Sequence, residues 1–308
     1  FLIFLVAVIK AVDEYADLMR LSAASAGNDH RLGANEAPPA IVSIFLGDEL
    51  TAVLKSIEDD SFFARQDKEQ INIGAAVLPH FAKDTTDRNR TSPFAFTGNK
   101  FEFRMLGSAI SVAGPNIVLN TAVAEALSQF YETLKDVPAG QMETAVHTLV
   151  KDTLAAHKRV IFNGNGYSNE WIGEAARRGL PNLKSTPDVL PCFIADKNKA
   201  LFTKHHIFTE SEIYSRYEIM LENYSKTIHI ESRTLTDMVY KDFLPGLLDY
   251  TDKVTCAVAN RKNVAGLPCT KELQLIHTLS DGYEKITELT EKLATDTATA
   301  ESMEDALA

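Results

Sequence analysis

An α+β fold is predicted, because the chain carries two kinds of segment. Short β-rich runs, Ile41 to Leu46 and the extended stretch Asp84 to Arg104, all lie before residue 105. Apolar residues at three- and four-residue spacing, the period of helices, fill most of the remainder. With 308 residues, 45% of them apolar, the chain can bury a substantial core as one large or two moderate domains.

Charge and cysteine usage narrow the class. A formal net charge of −11 argues against a nucleic-acid or anionic-membrane surface, since both need clustered Lys and Arg. It suits a soluble small-molecule enzyme or an assembly subunit. Cys192, Cys256 and Cys269 are odd in number, far apart and without a CxxC pair. Neither a disulfide framework nor a zinc site is expected from them, and a reducing, cytoplasmic setting is. The apolar run Phe1 to Ile9 is too short to span a bilayer and lacks the flanks of a signal peptide. It begins without an initiator methionine or a capping residue, so further residues are expected before Phe1.

Taken in order, residues 1–20 form a mostly buried helix in which Tyr15, Leu18 and Met19 carry the spacing on after Asp13 and Glu14. It ends in small residues from Ala23 to Gly27. Asn28 to Pro39, with Gly33 and the pair Pro38-Pro39, is a polar loop of the kind that often carries function. Asp48 is expected to cap a short helix through Ile57, and Glu58 to Gln70 is a solvated connection. Thr97-Gly98-Asn99 turns a β-hairpin, since Gly98 and Asn99 tolerate positive φ.

A helix follows over Asn116 to Leu134 with Val118, Val123, Leu127 and Tyr131 near one face; Pro138-Ala139-Gly140 closes it. Another runs from Gln141 to Arg159. Asn163-Gly164-Asn165-Gly166-Tyr167 is a turn, lacking the GxGxxG spacing of a dinucleotide loop. Thr209 and Glu212 form a capping box ahead of the stripe Ile213, Tyr217, Met220, Leu221 and Tyr224. That helix continues past Lys226 with breaks. Leu273, Ile276, Leu279, Tyr283, Ile286 and Leu293 make an amphipathic helix that needs a partner, and the polar tail from Thr295 is expected to fray.

Three clusters could carry chemistry. In Lys100-Phe101-Glu102-Phe103-Arg104 the period of two puts two cations and one carboxylate on one face and both phenylalanines on the other. Such a face suits a carboxylate holding a divalent cation beside groups that bind phosphate or carboxylate oxygens. Taken alone it describes a solvated surface strand more often than a site. Asp87-Arg88-Asn89-Arg90-Thr91-Ser92 adds two arginines, the preferred clamp for a phosphoryl group in transfer, or a charged strand entry. The loop His30-Arg31-Leu32-Gly33-Ala34-Asn35-Glu36-Ala37-Pro38-Pro39 holds one arginine and one glutamate on a stiffened connection that could close over a site, or is simply a connection. The eight histidines show no HxH or HExxH spacing, no GxSxG nucleophile context occurs, and Trp171 is a packing residue.

In order and wording, Arg31-Leu-Gly-Ala-Asn-Glu-Ala-Pro38 and Asn89-Arg-Thr-Ser-Pro-Phe-Ala-Phe-Thr-Gly-Asn-Lys-Phe-Glu-Phe-Arg104 resemble the type III branch of glutamine synthetase. The resemblance covers nearly the whole chain. It implies part of a twisted, mainly antiparallel catalytic sheet with helices over residues 1–165, then a helical carboxyl-terminal domain over 166–308. The activity implied is ATP-dependent ligation of ammonia to L-glutamate through γ-glutamyl phosphate, with two or three Mg2+ or Mn2+ ions. By the same resemblance Arg31 and Arg104 contact glutamate, and Glu36 is the flap residue that takes a proton from the ammonia nitrogen. Arg90 steadies the transferring phosphoryl group, Lys100 contacts ATP, and Glu102 binds metal. A cytoplasmic double-ring dodecamer without nucleic-acid or membrane partners is implied as well.

Two departures from the commoner type I pattern stand out: a shorter Arg31 to Glu36 loop and a long insertion before Asn89. The family's β-grasp domain, paired carboxylates, metal-binding histidine and ammonium-deprotonating aspartate would all lie upstream of Phe1, so the isolated chain is expected to be inactive. The alternatives are a non-catalytic assembly or partner-binding module derived from that fold, and a guanidino-kinase-like phosphotransferase, which lacks a counterpart of the Asn-Glu-Ala-Pro loop.

Overall fold

The computed structural model describes residues 1–34, 37–61, 70–71, 81–82 and 92–303. These divide into two compact units, Phe1–Ile219 and Met220–Ala308. Residues 165/166, where the sequence division is expected, lie within the first unit, and Trp171 beyond that point stacks on Phe162 before it. Among the described residues no helix is long and apolar enough to cross a membrane.

The first unit is centred on α1, Leu2–Glu14, whose residues Leu5 to Ile9 are all buried. An apolar run with no polar face has to be covered on every side, and α5 (Ala113–Leu134) and α6 (Met142–His157) pack against it. The chain bends at Tyr15 into α2, Ala16–Leu21. Across the expected helix end, Ala23 to Gly27, and the start of the loop expected from Asn28, a third helix forms, α3, Ala26–Arg31, with Ser25 Oγ accepting from the Asn28 N–H. Six residues are too few to display a period, so the Ser25 cap is its main sequence signal.

The strand expected over Ile41 to Leu46 is reduced to β1, Ile44–Phe45. Asp48 is the first residue of α4 (Asp48–Glu58), and not its cap; Gly47, at φ 80, takes that place. Asn163 holds this helix start, its Oδ1 accepting from the Leu46 and Gly47 N–H groups at 3.0 and 3.2 Å.

The short backbone segments β2 (Gln70–Ile71) and β3 (Phe81–Ala82) pair antiparallel. The hairpin forms as expected over β4 (Phe94–Phe96) and β5 (Phe101–Phe103), with Phe94 opposite Phe103 and Phe96 opposite Phe101. Gly98 turns it at φ 96. Sheet order is β1-β4-β5, and β1 runs parallel to β4. Among the described residues the sheet is therefore small and mixed, where a mainly antiparallel one is expected.

On α5 the predicted face holds at Val118 but not at Leu127 and Tyr131. Leu127 and Tyr131 are 36% and 65% exposed, while Val118, Thr121, Ala122, Glu125, Ala126 and Phe130 face inward. Small side chains let α1 approach closely, and Glu125 is paired by residues far along the chain, which a single-helix pattern cannot reveal. The unit continues through α7 (Asn169–Arg177), α8 (Thr186–Val189) and α9 (Asp196–Lys204). It ends in the first part of α10, Glu210–Met238, where the Thr209–Glu212 capping box forms as predicted.

The second unit holds the rest of α10, a π-turn at Val239–Phe243, α11 (Leu244–Ala265) and α12 (Thr270–Glu301). The predicted break has a definite cause. Pro245 has no N–H to offer the carbonyl four residues back, and the Leu244 N–H reaches one residue further, to Val239 O. α12 packs on α11, supplying its expected partner. It extends to Glu301 where fraying is expected, since α10 holds its end: Thr297 Oγ1 meets Ser232 Oγ, and the Glu301 carboxylate accepts from Arg233 Nη2 at 2.7 Å.

Candidate functional site

Residues from α3, the following loop and β5 converge on one concavity of about 550 Å3, lined among others by Arg31, Pro38, Ser92, Glu102, Arg104 and Tyr167. β5 supplies its charged wall. Alternation along the strand puts Phe101 and Phe103 against Phe94, at ring-centroid distances of 5.2 and 6.1 Å. Lys100, Glu102 and Arg104 share the other face: Arg104 Nη2 donates to Glu102 Oε2 at 2.9 Å, and Lys100 Nζ lies 3.3 Å from Oε1. The Arg104 guanidinium, then the Lys100 ammonium, hold the Glu102 carboxyl below the usual carboxylate range.

Arg31 comes from the opposite side as the last residue of α3. Its Nη2 donates to Met105 O at 2.6 Å and its Nε to Asn28 Oδ1 at 2.9 Å. The loop after it folds on itself, with Leu32 bridging Ala37, the Gly33 N–H bonded to Pro38 O at 3.0 Å, and Gly33 at φ 79. This left-handed backbone is where the sequence needs its glycine.

Of the six residues singled out by sequence, Arg31, Glu102 and Arg104 line the concavity together. Lys100 reaches it through its ion pair with Glu102. Glu36 and Arg90 lie outside the described residues. Two residues that sequence reasoning passed over belong here. Tyr167 lines the wall from what reads only as a turn. Asn28, three residues before Arg31, sits at a spacing that faces it on a helix.

The charge pattern suits recognition of anionic oxygens by guanidinium forks. Among the described residues it does not by itself complete a metal site. Among the described residues no group of three or more His, Cys, Asp or Glu is placed to hold an ion, and Glu102 is a lone carboxylate already engaged by two cations.

Comparison with known proteins gives a consistent answer. The glutamine synthetase C-terminal domain family matches residues 145–262. A glutamine synthetase of Butyrivibrio fibrisolvens is 49% identical over the whole of this chain, which covers 44% of that protein. A type-3 glutamine synthetase of Dictyostelium discoideum is 47% identical over 86% of the chain and 35% of its own length. A glutamine synthetase of Bacteroides fragilis is 41% identical over 86% of the chain and 37% of its own length. The chain thus spans less than half of each relative's length, and over the part that it spans it is similar to glutamine synthetases.

Proposed function

We propose that this chain works within a glutamate–ammonia ligase, as the carboxyl-terminal part of the catalytic domain (1–165) followed by a helical carboxyl-terminal domain (166–308). The relatives named glutamine synthetase support the reading. The observation that carries it is the convergence of Arg31, Glu102 and Arg104 on one concavity.

In this reading Arg31 and Arg104 bind L-glutamate through its carboxylates. Lys100 and Arg90 contact ATP, and Arg90 compensates the charge of the γ-phosphoryl group as it moves to the side-chain carboxylate. That transfer breaks the bond to ADP and forms γ-glutamyl phosphate. Ammonia then attacks the acyl carbon, phosphate leaves, and Glu36 takes the proton released from nitrogen.

A divalent ion, Mg2+ or Mn2+, belongs to the proposal with Glu102 as one ligand, but the described residues do not complete a site, and no step above is routed through it. For the same reason the chain by itself is proposed to be inactive. A cytoplasmic homo-oligomer of double-ring form is part of the same reading.

The test is ATP- and ammonia-dependent glutamine formation by the longer protein carrying this sequence, with Arg31→Ala and Arg104→Ala beside it. Each variant is expected to raise the glutamate KM by about 10-fold or more, the worth of a charged hydrogen bond. Unchanged glutamate kinetics in both would overturn the site. Turnover by this chain alone would overturn the claim that it is inactive.

A further inference from the structure

Asn28 is a buried polar side chain beside the concavity, 2% exposed. Its Nδ2 donates to Ala23 O at 2.6 Å and Met105 O at 2.9 Å, and its Oδ1 accepts from Arg31 Nε at 2.9 Å. Met105 O also accepts from Arg31 Nη2 at 2.6 Å. Asn28, Arg31 and the carbonyl just beyond β5 therefore close a ring of three hydrogen bonds. One edge of the guanidinium is held by Nε and Nη2, while among the described residues Nη1 makes no hydrogen bond. Gly107 lies beside the amide, and a Cβ added there would stand 3.4 Å from Asn28 Oδ1.

We propose that Asn28 is a positioning residue, which orients Arg31 for an anionic carboxylate of the substrate. This deepens the proposed function and rests on its reading of Arg31. The chemistry asks for an amide. Two carbonyl oxygens need donors and one guanidinium N–H needs an acceptor, and a side chain of this length meets both only as Asn. Asp would turn an oxygen toward two carbonyls, and Ala would leave a buried acceptor and donor without partners.

The test is a double-mutant cycle in the longer enzyme, with Asn28→Ala, Arg31→Ala and the pair, read as KM for glutamate and for ATP. Asn28→Ala is expected to raise the glutamate KM roughly 10-fold and to leave the ATP KM within about 2-fold. In the Arg31→Ala background it should add nothing, because it acts through Arg31. Equal, additive losses in both backgrounds, or a loss confined to melting temperature, would overturn the proposal.

A second measurement needs no catalysis and no variant. In the isotope-labelled chain the Arg31 Nε–H must exchange slowly with water; fast exchange overturns the positioning claim. If Arg31→Ala leaves glutamate kinetics intact, the substrate reading of Arg31 fails by itself, and slow exchange still registers whether Asn28 holds it. Asn28→Asp, which preserves size, serves where Asn28→Ala does not fold, with the same kinetic criteria.

Discussion

Glu125 Oε2, in the middle of α5, lies 2.7 Å from Nε2 of His205, the residue just after α9. Lys204 Nζ donates to Glu125 Oε1 at 2.8 Å, and Gln129 Nε2 donates to the same oxygen at 2.8 Å. Two helices distant in sequence are thus fastened through one carboxylate whose side chain is 9% exposed.

Acid should loosen this fastening. Burial pushes the Glu125 carboxyl up, but hydrogen bonds from Lys204, Gln129 and His205 outweigh it and bring it from 4.5 down to about 2. A carboxyl depressed in the folded state contributes stability that is fully present above 4.5 and is lost as pH falls toward 2. Because Lys204 is itself half exposed, the contribution is discounted to on the order of 2 kcal/mol. Glu125→Gln should be destabilised by about that much at pH 7, and should converge with the unsubstituted chain near pH 2. Urea midpoints across this range check it; a constant difference at every pH would show that the charge is not responsible.

The hairpin turn gives a prediction free of packing effects. Gly98 sits at φ 96, and an added Cβ would meet no atom within 4 Å. Gly98→Ala therefore costs backbone strain alone, about 1 kcal/mol, and Gly98→Asn less, since Asn tolerates positive φ. Thermal melts that rank the two variants in the opposite order would contradict this turn.

These cases mark what the sequence could reveal. The hairpin and the Thr209–Glu212 box were legible because turn and cap chemistry are local: a glycine for positive φ, and a Thr with a Glu three residues on. The shared face of Lys100, Glu102 and Arg104 followed from strand period. The inner face of α5 was not legible, because Glu125 is buried only by virtue of Lys204 and His205, some 80 residues later. Likewise Asn28 looks like a loop residue until Met105, 77 positions away, supplies its acceptor.

Site chemistry and stability should separate at Glu102. Its side chain is 37% exposed and its partner Lys100 more so, so solvent screens the ion pairs and the fold depends little on them. Glu102→Gln is expected to melt with the unsubstituted protein while the longer enzyme loses glutamine formation on the order of 100-fold. Activity measured beside a melting curve checks both halves; retained activity would remove Glu102 from the proposed site.

Gly164 marks a different limit, one of space. A Cβ there would stand 2.5 Å from Phe162 Cζ and 2.9 Å from Cε2. The ring cannot swing away freely, because it is stacked on Trp171 at a centroid distance of 3.7 Å and an interplanar angle of 15°, with the Arg178 guanidinium 5.6 Å from the indole. Gly164→Ala must part that stack or shift the turn, at about 1–3 kcal/mol for overpacking. Trp171 is the chain's one tryptophan and is buried, so its emission reports the change directly and should move to longer wavelength as water enters. Gly173, exposed within α7 with nothing within 4 Å of an added Cβ, should respond with the opposite sign. There, alanine restores helix propensity and stabilises by up to about 1 kcal/mol. Melting temperatures that fall for Gly164→Ala and rise for Gly173→Ala would tie the first effect to Phe162; a common response would detach it from that ring.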